Sequence, residues 1–79
     1  MPNLPQGHRP LQCVIDGVTY QGDYWVDGHI INVFTEYGHS STEGLRTGTN
    51  FQRDEANKSR AQGLFEAVIR GHLAGYQVP

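Results

Sequence analysis

The sequence lacks most of the features that mark secreted and membrane proteins. Its 79 residues contain a single cysteine, Cys13, so the chain cannot form an internal disulfide. No stretch approaches the roughly twenty apolar residues that a membrane-spanning helix needs. Residues 1–10 also contain no apolar stretch like that of a signal peptide. We therefore expect a cytoplasmic protein that does not bind a membrane.

Catalytic and metal-binding motifs are also missing. The four histidines lie far apart in the sequence, at His8, His29, His39 and His72. No His-x-x-x-His or Cys-x-x-Cys spacing indicates a zinc site. His39, Ser40 and Ser41, with Glu36 close by, include the residue types of a nucleophile, a base and an orienting acid, but neighbours on one strand rarely point at one centre. No glycine-rich phosphate loop is present. These absences predict a non-enzymatic protein without metal or cofactor.

Six lysine and arginine residues nearly balance eight aspartate and glutamate residues, so the formal net charge at pH 7 is only −2. This value gives no general attraction to nucleic acid or to an anionic membrane. The length indicates one domain, near the lower limit for folding without disulfides or metals. Residues 1–10 contain three prolines and are predicted to form a flexible N-terminal arm, with a single domain over residues 11–79.

Strand-forming residues fill the segment from Leu11 to Tyr37, and the pairs Asp16-Gly17 and Asp27-Gly28 interrupt it. Asp-Gly between apolar runs favours a two-residue type I′ hairpin turn, because both residues tolerate positive φ. The pattern predicts three antiparallel strands over about 11–16, 18–26 and 29–37. We expect the first turn to pair Ile15 with Val18, and the second to pair Trp25 with Ile30 and Tyr24 with Ile31.

Both hairpins place the same kinds of residue on each face of the predicted sheet, since side chains alternate along a strand. One face is predicted to be the core face: Leu11, Cys13, Ile15, Val18, Tyr20, Tyr24, Val26, Ile31, Val33 and Tyr37. The opposite face, which we call the outer face, carries Gln12, Val14, Thr19, Gln21, Asp23, Trp25, Ile30, Asn32, Phe34 and Glu36. Cys13 is therefore expected to be a buried, unreactive thiol.

The end of the sequence changes to a helical period. Apolar residues recur at spacings of three and four: Ala61, Leu64, Phe65, Val68, Ile69, His72 and Leu73. We predict a helix over about 52–74, with Thr49 or Asn50 as N-cap and Gly75 as a left-handed C-terminal residue. Gly63 and Gly71 either mark close contact with the sheet or are simply tolerated.

The apolar stripe of the helix and the core face of the sheet have only each other to pack against. The predicted fold is an α+β, two-layer domain in which a three-stranded, or four-stranded, antiparallel meander packs on one C-terminal helix. Residues 38–50 are expected to be a loop. Whether they instead form a fourth strand or a lid over the outer face stays open.

Several short segments carry a resemblance to a class of proteins. They are the run Val18 to Tyr24, the Asp27-Gly28 turn, the strand end at residues 36–38, Ser41-Thr42 and the Ala-Leu-rich final helix. In these segments the sequence resembles small uncharacterised bacterial and phage proteins that combine a β-meander with a helix. The resemblance implies this fold and a bacterial or phage origin, but it supplies no active or binding site. The long segment 49–60 departs from the pattern.

The outer face suggests a function because no second helix is available to cover it. We expect a small protein-binding or inhibitor module that contacts another protein, or a second copy of itself, through this face. The candidate contact residues are Trp25, Ile30, Phe34, Val14 and Asn32.

A nucleic-acid-binding domain is the alternative function. It would use the outer face or the basic residues of the helical segment, which are Arg53, Lys58, Arg60 and Arg70. The predicted outer face carries Asp23 and Glu36 but no lysine or arginine. Because a sheet-face reader needs such cations near the phosphates, the charge pattern favours the protein-binding module.

Overall fold

A computed structural model describes residues 7–76, with only the backbone of Tyr76, as four strands followed by one helix. The elements are β1 (Arg9–Ile15), β2 (Val18–Asp27), β3 (Ile30–Thr35), β4 (Gly38–Glu43) and α1 (Asn50–Tyr76). The strands form one antiparallel sheet in the order β1-β2-β3-β4. The α+β meander is confirmed, with the fourth strand present. Among residues 7–76, no helix is both long and apolar enough to cross a membrane.

The predicted N-terminal arm lies partly outside the described residues, because residues 1–6 are not described. Within the described part the prediction is wrong. Arg9 and Pro10 belong to β1, where they pair with Tyr24 and Asp23 of β2. Proline is tolerated here because β1 is an edge strand.

The first hairpin has the predicted register, with Ile15 opposite Val18 and Cys13 opposite Tyr20. Asp16 and Gly17 have φ values of 51° and 78°. Positive φ at both central residues is the requirement of a type I′ turn, which the Asp-Gly pair satisfies.

The register predicted for the second hairpin is wrong by two residues. Asp27 pairs with Ile30, so the loop consists of Gly28 and His29, and Trp25 lies opposite Asn32. Gly28 has the expected positive φ of 64°, but Asp27 does not share it. Positive φ at the first central residue alone is the pattern of a type II′ turn, for which glycine is the preferred residue.

The shift by two residues leaves the strand residues on the predicted faces, since side chains alternate with a period of two. Tyr37 lies in the turn after β3, however, and Val18 and Val26 are exposed, so these three are not part of the core. Leu11, Tyr24, Ile31 and Val33 lie on the core face and are buried. They pack with three buried residues of α1, namely Ala61, Phe65 and Ile69. The predicted two-layer packing is therefore confirmed.

Strand β4 replaces the first half of the predicted loop over residues 38–50. A tight turn precedes it, in which the hydroxyl of Thr35 accepts a hydrogen bond from the Tyr37 backbone N–H at 2.9 Å. The same hydroxyl donates to the Gly38 carbonyl at 3.0 Å. The core-face residues of β4 are Gly38, Ser40 and Thr42. Because none of them is a large apolar residue, the sequence of the strand shows no apolar alternation.

Helix α1 begins at Asn50, two residues before the predicted start. Thr49 is the N-cap: its hydroxyl accepts from the Gln52 N–H at 3.1 Å, and the Gln52 side chain accepts from the Thr49 N–H at 3.0 Å. This reciprocal pair is a capping box. The predicted stop at Gly75 is wrong, because the helix continues through Tyr76 and Gly75 has no positive φ.

Close helix–sheet contact occurs at glycines of the sheet and of the loop. A Cβ added to Gly22 would lie 2.6 Å from the Phe34 carbonyl oxygen and 2.9 Å from the Phe65 ring, so the ring occupies the space that a side chain would fill. Gly44 fits the same way beneath Asn57, whose side-chain oxygen accepts from the Leu45 N–H. A Cβ added to Gly63 or Gly71 would meet open space. These two glycines therefore do not mark close contact with the sheet and are simply tolerated in the helix.

Candidate functional site on the outer sheet face

The outer face brings together four of the five residues predicted to contact a partner. Trp25 and Asn32 lie opposite each other, Phe34 lies opposite Asp23, and Ile30 lies opposite Asp27. Trp25 is therefore diagonal to Ile30 and Phe34 and does not pair directly with Ile30. Diagonal neighbours on one face remain within reach of aromatic side chains. The three apolar groups flank Asn32 and form what we call the outer cluster: Trp25, Ile30, Asn32 and Phe34.

Val14, the fifth predicted contact residue, does not belong to the outer cluster. It lies opposite Thr19 near the β1–β2 turn, whereas Trp25 is six residues further along β2. At about 3.3 Å per residue, this separation is roughly 20 Å. Val14 is 61% exposed, and a single exposed valine on a strand needs no functional explanation.

Phe34 is the open part of the outer cluster. Phe34 belongs to the inner strand β3, where it lies between Asp23 of β2 and His39 of β4. Its exposed fraction is 51%. Trp25, Ile30 and Asn32 are half-buried. Asn32 is held by a hydrogen bond of 2.8 Å that its side-chain oxygen accepts from the Ser41 hydroxyl.

His8 covers part of Trp25, which corrects the expectation that no part of the chain lies over the outer face. The two rings stack with their centroids 4.2 Å apart and their planes inclined by 15°. Nδ1 of His8 also lies 2.5 Å from a carboxylate oxygen of Asp23. Sequence reasoning missed this contact, although extending the β1–β2 register by one pair beyond Arg9 and Tyr24 places His8 opposite Trp25.

Neither residues 38–50, the lid left open by the sequence, nor the nearby Phe51 covers the cluster. Residues 38–43 pair with β3 at the edge of the sheet. Phe51 is 74% exposed at the start of α1. Among residues 7–76, only His8 is seen to stack on the cluster, and Phe34 is its exposed member.

The charge of the outer face is acidic. Alternation places the carboxylates of Asp23, Asp27 and Glu43 on this side of strands β2 and β4. The single arginine of the strands, Arg9, lies on the core side, where its guanidinium is 3.2 Å from the Asp54 carboxylate of α1. No lysine or arginine of β1–β4 thus faces outward beside Phe34.

The structure does not collect the basic residues of the alternative function on one surface. Arg53 and Arg60 are two turns apart on one flank of α1, because successive residues turn by about 100°. Arg60 donates to the Glu43 carbonyl at 2.9 Å. Lys58 lies instead beside the groove between β1 and the helix, and Arg70 is exposed further along α1.

The remaining chemistry of the described residues is sparse. Cys13 is half-buried, and burial together with the nearby Glu66 carboxylate raises the pKa of its thiol, against a smaller opposite effect of Arg70. Such a thiol is a poor nucleophile at neutral pH. Between residues 7 and 76, no three His, Cys, Asp or Glu side chains are grouped as a metal site requires.

No family model, curated protein or solved structure matches the chain. The resemblance to small bacterial and phage proteins therefore stays a prediction, and the function has to be argued from the outer face itself.

Proposed function

We propose that this protein is a small, non-enzymatic binding or inhibitor module that attaches to another protein through its outer face. The observation that carries the proposal is the half-exposed ring of Phe34 in the sheet, beside Trp25 and Ile30. Exposed aromatic clusters on a rigid sheet are typical of interaction surfaces.

The energetic contribution of Phe34 is sufficient to anchor an interface. With 51% of the residue exposed, its burial removes on the order of 100 Å² of apolar surface from water, worth about 2.5 kcal/mol. Trp25 adds a second aromatic group once a partner displaces or packs against His8. Two such anchors at the centre of a patch are the usual composition of a binding hot spot.

The acidic charge of the outer face favours one kind of partner. Face-to-face association of two copies would bring their outer carboxylates together, and such like-charge contacts oppose binding. Asp23 is paired with His8 and Glu43 with Arg46, so Asp27 contributes most of this repulsion. A different protein with an apolar centre and a rim of Lys and Arg fits the same surface. We therefore propose a heterologous, basic-rimmed protein partner in preference to a homodimer or nucleic acid.

A cytoplasmic location and a bacterial or phage origin complete the proposal. A lone thiol without a disulfide partner suits a reducing compartment. Fractionation of the native host with an antibody against the protein measures the location directly, and recovery in the membrane or secreted fraction would contradict it.

Site-specific photo-crosslinking tests the proposed interface. A benzophenone amino acid replaces Phe34 in one variant and Phe51 in a matched control, because both phenylalanines are exposed but only Phe34 lies on the outer face. We expect illumination in the native host to link one defined protein to position 34 and not to position 51. That protein should carry Lys or Arg around the linked peptide.

Equal labelling at the two positions, or crosslinks at position 34 only to a second copy of the chain, would contradict the proposal. Folding of both variants is checked by their melting temperatures, since each replacement is at the surface.

A further inference from the structure

A cleft of about 550 Å³ lies on the core side of the sheet, at the end where Arg46 also reaches Glu43 at the edge of the outer face. It opens between the β2–β3 turn, the loop after β4 and the first turns of α1. Its size falls within the range of roughly 300–1,000 Å³ that small-molecule sites occupy. We call it the arginine cleft after the three arginines that line it, which are Arg9, Arg46 and Arg53.

Positive charge exceeds negative charge in the arginine cleft. Asp54 is the carboxylate among its lining residues, and Arg9 pairs with it at 3.2 Å. Arg46 reaches Glu43 only at 3.5 Å, between two side chains that are both mostly exposed. Arg53 donates to the neutral Asn50 side chain and has no carboxylate partner among residues 7–76. Two of the three guanidinium groups are therefore weakly engaged or lack an anion.

Tyr24 supplies a buried polar group at the same place. Only 4% of the residue is exposed, yet its ring lines the arginine cleft. Its hydroxyl has no hydrogen-bond partner within the described part of the chain, where every fully enclosed side-chain N or O atom has one, so the hydroxyl is partly accessible. Tyr24 lines both this cleft and the adjoining groove between β1 and α1, and Arg9 and Asp54 line both as well.

We propose that the arginine cleft binds a phosphate monoester of nucleotide size. A phosphoryl group presents several acceptor oxygens and two negative charges, which match more than one guanidinium and a hydroxyl donor. The apolar walls at Val26 and Leu45 suit the organic part of such a ligand. This site is independent of the outer face and of the partner proposed there.

Titration with phenyl phosphate, followed by backbone amide NMR shifts, tests the site. We expect the largest shifts at His29, Leu45 and Asn57. Arg53→Gln should weaken the affinity by about tenfold or more, as loss of a charged hydrogen bond predicts. The matched control is Arg70→Gln, the same change on the same helix outside the cleft, which should leave the affinity unchanged.

Tyr24→Phe separates binding from folding. It removes only the unpartnered hydroxyl, so the melting temperature should stay the same while the affinity for phenyl phosphate falls severalfold. Benzoate, which has the ring without the phosphoryl group, should bind at least tenfold more weakly. The proposal is overturned if phenyl phosphate causes no shifts at these residues, if benzoate binds equally well, or if Arg53→Gln and Arg70→Gln have the same effect.

Discussion

Tyr24 and Trp25 are consecutive aromatic residues of β2 with opposite environments. Tyr24 is enclosed between the sheet and α1, whereas Trp25 lies on the outer face beneath His8. The alternation of a single strand thus assigns one ring to the core and the next to the proposed interface.

Replacing these residues should therefore affect stability unequally. Tyr24→Ala should lower the free energy of unfolding by about 3–5 kcal/mol, because it empties a buried ring site. The double change Trp25→Ala with Phe34→Ala should cost less than about 2 kcal/mol, since Phe34 is half-exposed and Trp25 lies on the outer face, outside the core. Urea denaturation of the purified variants measures both values. A larger loss for the double variant than for Tyr24→Ala would show that the outer cluster belongs to the core.

Gly22 has a steric role that its sequence context does not reveal. Gly22→Ala should destabilise the fold by about 1–3 kcal/mol, as overpacking typically does. The added methyl would meet the backbone oxygen of Phe34, which cannot rotate away, and the buried Phe65 ring. Thermal unfolding checks the prediction, and an unchanged melting temperature would mean that α1 does not lie close to β2.

Cys13 should react slowly because its thiol has a raised pKa, caused by burial and by Glu66. Only the thiolate is alkylated, so a higher pKa lowers the reactive fraction at any pH below it. Iodoacetamide at pH 8 should modify the folded protein more slowly than the urea-unfolded chain. Glu66→Gln should lower the pKa and speed the reaction. If the folded protein reacts as fast as the unfolded chain, Cys13 is neither protected by burial nor raised in pKa.

At the scale of the elements, the two Asp-Gly pairs show how far local sequence specifies a turn. Asp16-Gly17 forms the predicted type I′ turn, but Asp27 remains in β2 and the second loop shifts to Gly28-His29. Both registers keep Tyr24, Val26, Ile31 and Val33 on one face. Burial patterning therefore predicts the faces correctly but cannot choose between registers that differ by two residues.

Strand β4 could not be predicted from its own sequence. Its polar sequence from Gly38 to Glu43 gives no apolar alternation, and the strand forms because the Thr35 turn returns the chain beside β3. Such pairing depends on the preceding turn and on the helix above, so local propensity alone does not reveal it. The helix, by contrast, is predictable because its apolar period and its capping residue lie within one segment.

Helix α1 contains two glycines whose replacement should increase the stability of the protein. Gly63→Ala and Gly71→Ala should each stabilise the protein by up to about 1 kcal/mol, because alanine has the higher helix propensity. Apart from chain neighbours and the helix's own backbone, no heavy atom of residues 7–76 lies within 4 Å of the added methyl at either position. Chemical denaturation of the single variants checks the sign, and a loss of stability would show that the glycines contact something beyond the described residues.

At the scale of the whole molecule, the sheet separates two surfaces of different charge. The outer face carries carboxylates around the outer cluster, and the arginine cleft lies on the opposite side at one end of α1. Long-range contacts complete both surfaces: His8 reaches Trp25, and Arg9 reaches Asp54 across 45 residues of sequence. The sequence alone identified all four residues of the outer cluster, with Val14 in excess, but missed His8, Arg9 and Arg46, because their roles depend on which elements meet.

The affinity of the crosslinked partner for variants of the outer face shows directly whether this face is the interaction surface. Isothermal titration of the purified partner compares the wild-type protein, the Trp25→Ala and Phe34→Ala double variant, and the Phe51→Ala control. We predict that the double variant weakens binding by about a hundredfold or more, as loss of two hot-spot aromatics implies. Phe51→Ala should bind as tightly as the wild type. Unchanged affinity in a folded double variant, or an equal loss in Phe51→Ala, would contradict the assignment of the outer face as the interaction surface.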